Sequence, residues 1–227
     1  MIVAVVPVAF FTEEHVDMTV RFLNKLHDEV DRIGIWHNGG TLAEDGWKML
    51  EHFKWDDEGG QLEAFDAEGW SFFAMWNDGA RWAIDIEADI MLVLNNDITW
   101  PPGSLRVLAE ALASTPPNVA AASPDMGATE LRPTAIQDVM LTPTSQGIVP
   151  WCFAIRPHFW QPIDERYHVW FGDDEFQNAI AEAGHRCIRV GGVPVFHPPG
   201  GDTTMSHRPG VAALRLEDQA LYASKWS

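Results

Sequence analysis

Unbroken apolar runs alternate with segments of helical period along most of this chain. Ile2 to Val6 is apolar throughout and ends at Pro7, the pattern of a strand buried on both faces. After a polar break, Val16, Val20, Leu23, Leu26 and Val30 recur at the spacing of one helical face, with Glu13 and Glu14 in the first turn, where carboxylates suit the helix dipole. Ile33 to Trp36 predicts a short strand, closed by the turn-forming cluster His37-Asn38-Gly39-Gly40. An amphipathic helix is expected from Ser71 to Ile84, and Ile90 to Leu94 is again continuously apolar before it stops at Asn95-Asn96-Asp97. Pro101-Pro102-Gly103 opens a helix carrying Leu105, Leu108, Ala109 and Leu112, and Val119 to Ala122 reads as a strand. Residues 124–148 have no clear period and predict a loop with one short strand or hairpin at most. Then follow a strand from Trp151 to Ile155, a helix from about Asp174 to Ala183 ended by Gly184, and strands at Cys187 to Val190 and Val193 to Phe196.

Strands alternating with helices predict an α/β fold with a doubly wound, mostly parallel sheet, whose ligands collect beyond the carboxyl ends of the strands. Pro7, His37-Asn38 and Asn95-Asn96-Asp97 all stand at such positions. The 227 residues fit one domain. No stretch approaches the roughly 20 apolar residues of a membrane helix, and the opening run has no basic residues before it, so it reads as a strand and not as a signal peptide. Cys152 and Cys187 both lie in apolar runs, as free thiols do in a reducing compartment such as the cytoplasm. A formal charge of −18 disfavours nucleic acid and anionic membrane surfaces as partners. It also means that a phosphate ligand would need a cation to accompany it.

Three constellations carry candidate chemistry. Asp97 ends a polar triplet at the mouth of a buried strand, where a carboxylate can hold a hard cation; the plainer reading is a turn that caps the next helix. Asp173-Asp174-Glu175 places three carboxylates at a helix start between aromatic residues. There the dipole tends to keep them ionised, as a general base must be, although acids at a helix start need no catalytic reason. His197 follows an apolar run and precedes Pro198-Pro199-Gly200-Gly201, so its imidazole could join Asp97 on a metal; eight other histidines make a structural role the simpler alternative.

In order and content these elements resemble a family 2-type glycosyltransferase over nearly the whole chain. Ile2 to Pro7 resembles the opening strand of that family, and Trp36-His37-Asn38-Gly39-Gly40 its second-strand turn, with His37 where an acid is usual. Gly69 through Asn77 to Ala83 is similar to the helix carrying the family's asparagine, and Leu92-Val93-Leu94-Asn95-Asn96-Asp97 followed by Pro102-Gly103 resembles its Asn-Asn-Asp version of the DxD motif. Trp151 to Arg156 and Ile163 to Tyr167 resemble the acceptor-side strand and its Phe-Asp-Glu segment. Gly172-Asp173-Asp174-Glu175-Phe176 is similar to the acidic motif of β-1,4-galactosyltransferase relatives, and His197 to the late metal-binding histidine. Trp76 and Ala179 stand where the family often has arginine.

The resemblance implies a GT-A fold with a nucleotide-sugar-binding half, residues 1–123, and an acceptor-binding and catalytic-base half, residues 124–227. It implies a divalent metal on Asp97 and His197, manganese or else magnesium, bridging the diphosphate of a donor such as a UDP-sugar. Asp173 would be the catalytic base with Asp174 beside it, in a direct, inverting attack by the hydroxyl of a glycan or other acceptor. Pro7, Val8, His37, Asn38, Asn77, Asn95, Asn96 and Asp97 would bind the nucleotide-sugar, and Trp151 and Trp170 would face the acceptor. Two alternatives stay open: a non-catalytic protein that binds carbohydrate or nucleotide-sugar, and a sugar nucleotidyltransferase. The latter usually needs a glycine-rich basic loop after the first strand, whereas residues 7–14 contain neither glycine nor lysine.

Overall fold

A computed structural model of the chain describes residues 1–52, 61–125, 127–133, 136–139, 148–198 and 210–226. Its strands are β1 (Ile2–Val8), β2 (Arg32–His37), β3 (Gln61–Asp66), β4 (Ile90–Leu94), β5 (Val119–Pro124), β6 (Ile136–Val139), β7 (Cys152–Ile155) and β8 (Arg186–Val190). They form one sheet in the order β3-β2-β1-β4-β7-β5-β8-β6. The pairs β1–β2, β1–β4, β2–β3 and β5–β8 are parallel. β7 runs antiparallel between β4 and β5, and β6 runs antiparallel to β8. Because β7 is reversed, its first residue Cys152 pairs with Leu94, the last residue of β4. The entry to β7 therefore shares an edge with the exits of β1, β2 and β4.

Among the described residues, α-helices cover the two faces: α1 (Glu13–Leu26), α2 (Ala43–His52), α3 (Phe72–Asp85), α4 (Ser104–Ala113), α5 (Gly172–Glu182) and α6 (Val211–Trp226). Period-two alternation divides the core into layers. Ala4, Val6 and Val8 of β1 pack with Leu23 and Leu26 of α1 and Leu105, Leu108 and Leu112 of α4. Val3 and Val5 point the other way, to Phe73 and Trp76 of α3 and Phe176 and Ile180 of α5. Both faces of β1 and β4 are thus covered, which is why their sequences are apolar without alternation.

The expected strand–helix alternation is present, with local differences. The buried stripe of α1 is His15, Thr19, Phe22, Leu23 and Leu26; Val16 and Val20 sit at its margin, and Val30 is buried beyond the helix end. The stripe is rotated by one residue because polar groups have partners inside: the Thr19 hydroxyl donates to the His15 carbonyl and accepts from Asn96. Val193 to Phe196 is not a strand. Pro194 has no N–H to give a ladder, and only Phe196 makes a bridge, to Thr99. Among the described residues of the loop expected at 124–148, one short strand, β6, is present. Helices α2 and α6 and strand β3 were not expected from the hydrophobic pattern.

Candidate active site

The strand exits surround a cleft of about 600 Å³ at this edge of the sheet. Pro7 and Val8 end β1, Asn38 follows β2, Asn95, Asn96 and Asp97 follow β4, and all of them line it. Trp151 enters from the reversed strand β7, and Trp170 and Asp173 from the start of α5. His197 completes the cleft at its Asp97 side.

Asp97 is only 7% exposed, and its Oδ1 lies 3.3 Å from Nε2 of His197. Two main-chain hydrogen bonds set this meeting, Thr99 N–H to Phe196 O and Phe196 N–H to Thr99 O, each 2.8 Å. Stacking against Trp151 orients the His197 ring, with centroids 5.2 Å apart. Trp151 is itself tied to the β4 exit, since its carbonyl accepts from Asn95 N–H at 3.0 Å. One ring face of Trp151 is therefore already occupied by His197. Asn96, 6% exposed, donates its side-chain amide to Thr19 and so fastens the triplet to α1.

Among the described residues no group of three or more histidine, cysteine or acidic side chains could hold a metal. Asp97 and His197 form a pair, one carboxylate oxygen and one imidazole nitrogen converging on the cleft. Hard oxygen with borderline nitrogen suits manganese better than magnesium, which prefers oxygen, and two protein ligands would leave coordination positions for a diphosphate. The donor set fits such an ion.

At the same cleft, α5 begins after Phe171, which takes φ of 65°. Gly172 is needed at the next position because a Cβ there would lie 2.6 Å from the Phe73 ring. This close approach of α5 to α3 brings Asp173 onto the cleft wall and leaves it partly buried. Burial first, and then the neighbouring Asp174 charge, pushes Asp173 up to about 6. The dipole expectation for this acidic run is thus outweighed: desolvation acts on the whole carboxylate, and the dipole only on its end of the helix. Burial also raises Asp174, which does not line the cleft. Glu175 turns away and pairs with Lys225 of α6 at 2.8 Å.

Two residues expected at the nucleotide-sugar site lie behind it. His37 is 1% exposed, stacked on Phe10 with centroids 5.1 Å apart and packed beside Trp47. Burial lowers its pKa, against the raising effects of Asp66 and Glu68. Asn77, 3% exposed, donates to Ile163 O at 2.7 Å and accepts from Ile163 N–H and Trp160 Nε1–H, both at 3.0 Å. It clamps the 160–163 segment from within, whereas its neighbour Trp76 reaches the cleft. Glu68, Gly69 and Phe72 also line the cleft and were not foreseen as site residues: Gly69 and Phe72 were expected only at the start of the helix that carries Asn77, and Glu68 follows β3, outside the segments assigned from sequence. Leu62 and Ala64, both on the α1 side of the sheet, were the signal available there.

No family model matches the chain, and no curated protein matches it by sequence. Solved structures do. The crystal structure of GalNAc-T7 with UDP, GalNAc and Mn2+ matches with a TM-score of 0.60 over 89% of this chain, at 11% identity. The fold is GT-A. At that identity the likeness speaks for the GT-A fold alone, and the chain spans 45% of the length of that neighbour. Among the described residues, no helix of this GT-A fold is long and apolar enough to cross a membrane.

Proposed function

We propose that the chain is a metal-dependent, inverting glycosyltransferase that moves a sugar from a nucleoside diphosphate to an acceptor hydroxyl. The observation that carries this reading is the convergence of the Asp97–His197 pair and the partly buried Asp173, with its raised pKa, on one cleft. A cation chelator and a carboxylate base on one cleft are what displacement of a diphosphate by a hydroxyl needs. The GT-A neighbour was crystallised with UDP, GalNAc and Mn2+, which supports a UDP-sugar as donor and manganese as the ion, with magnesium the alternative.

Asp97 and His197 would hold the ion, which when bound supplies positive charge to the leaving diphosphate. Pro7, Val8, Asn38 and Asn95 would line the nucleotide. Asn96 would act through its bond to Thr19, holding the Asp97 turn in place. Asp173 would accept the proton of the acceptor hydroxyl as that oxygen attacks the anomeric carbon. A base tuned to about 6 is still mostly ionised at neutral pH and takes a proton more readily than an ordinary aspartate. Trp170 and the free face of Trp151 would flank the acceptor sugar. In this reading residues 1–123 form the donor half and residues 124–227 the acceptor half. The buried free thiols Cys152 and Cys187, the latter pushed up to about 12 by burial, support a reducing compartment such as the cytoplasm.

Calorimetric titration of UDP, GDP and dTDP, each with manganese and then with EDTA, tests the reading. Metal-dependent binding of one diphosphate followed by transfer of its sugar is the expected outcome. Binding of free glycan without metal would replace it with a carbohydrate-binding module, and preference for a nucleoside triphosphate with a nucleotidyltransferase.

A further inference from the structure

None of the proposed machinery lies on α6, yet this helix reaches the cleft wall through polar contacts. Asp218, Tyr222 and Lys225, spaced i, i+4 and i+7, share one helix face. Lys225 Nζ lies 2.6 Å from Asp164 and 2.8 Å from Glu175. Tyr222 accepts a hydrogen bond from Asn178 and stacks on Phe171.

Asp218 is 1% exposed and is the buried residue of the helix. Its Oδ1 accepts from His168 N–H at 2.8 Å, and its Oδ2 from Val169 N–H and Trp170 N–H, each at 2.9 Å. Three consecutive amides can aim at one carboxylate only if the chain bends around it, and such charge-assisted bonds are stronger than neutral ones. The same bend leads straight into Phe171 at φ of 65° and the first turn of α5. Val169, Trp170 and Asp173, all products of that bend, line the cleft.

We propose that Asp218 is a positioning residue: it shapes the 168–170 turn from behind and thereby fixes Trp170 and Asp173 against the acceptor. The inference rests on the transfer reading for its kinetic consequence but not for its geometry.

The test compares wild-type protein with Asp218→Ala, Asp218→Asn and Tyr222→Phe. Asp218→Ala should lower kcat/KM for the acceptor by about a hundredfold, the scale on which a misplacement of about 1 Å acts, while UDP binding with manganese is unchanged. Asp218→Asn keeps one acceptor oxygen and should recover part of the loss; it also carries the test if Asp218→Ala does not fold. Tyr222→Phe removes another contact of the same helix face and should lower the melting temperature without the acceptor defect. Loss of activity in proportion to loss of stability across all three variants overturns the inference. If wild-type protein transfers no sugar at all, the transfer reading fails, and amide hydrogen exchange decides the rest. Faster exchange at residues 168–174 in the Asp218 variants, with 176–182 unchanged, then supports positioning, and unchanged exchange at 168–174 refutes it.

Discussion

Asp97 and His197 stand 100 positions apart in the chain, and their side chains meet at 3.3 Å. The contact is built from a strand exit on one side and, on the other, the two-bond Thr99–Phe196 bridge together with the stacking of Trp151 on His197. Two segments distant in the chain thus present one carboxylate oxygen and one imidazole nitrogen to the same cleft.

Removing either member should therefore act on metal-dependent binding and not on the fold. Asp97→Ala and His197→Ala are each expected to weaken UDP binding in manganese by about a hundredfold or more, a scale set by the loss seen when metal-site residues are altered. EDTA should reduce wild-type binding to the same level. Calorimetry with and without chelator measures both.

Asp173→Asn should remove the proton acceptor and leave the donor site whole. A fall in kcat of about a hundredfold to ten-thousandfold is expected, the range that general-base catalysis supplies, with UDP affinity unchanged. Wild-type kcat/KM for the acceptor should rise with pH through about 6 and then level off, because the carboxylate must be ionised to act. A rate profile from pH 4.5 to 8, measured with one donor, tests the assignment.

The same residue makes a prediction about stability. Asp173 titrates near 6 in the fold, above its ordinary 3.8, so the folded state holds its proton more tightly than the unfolded chain does. Stability from this group is fully present below about pH 4 and is lost as pH rises through about 6. At pH 7.5, Asp173→Asn should therefore stabilise the protein by about 1 to 3 kcal/mol, and below pH 4 by almost nothing. Thermal melts at the two pH values distinguish this from a general effect of the substitution.

Asn77→Leu separates a structural role from a donor-binding one. The substitution leaves Trp160 Nε1–H and both main-chain groups of Ile163 without their buried partner. A cost of about 2 to 4 kcal/mol follows from the penalty for unsatisfied buried groups. Below its lowered melting point the variant should bind UDP and manganese as wild type does. A loss of donor affinity in still-folded protein would return Asn77 to the donor site.

Much of the architecture was legible because it is written locally. Ile90 to Leu94 is apolar at every position, which can be satisfied only between two layers, and the abrupt change at Asn95 marks where the strand leaves the sheet. Pro7 and Asn38 could be placed at the cleft by the same logic, which also put His37 there. Helix α6 could not: its one buried residue is Asp218, so no apolar stripe announces which face is inside. Val193 to Phe196 shows the opposite failure, an apolar run with a proline that denies it a ladder.

The sequence by itself determined the alternation of strands and helices, the sheet's buried centre and the edge at which polar residues gather, because periodicity and run length are properties of neighbouring residues. Tertiary structure decided that His37 faces the core and not the cleft, that Asn77 clamps a segment 86 residues away, and that Asp173 titrates near 6. Each of these depends on what a distant element lays over the side chain. Desolvation is the sum of everything packed around a group, and no local pattern contains it.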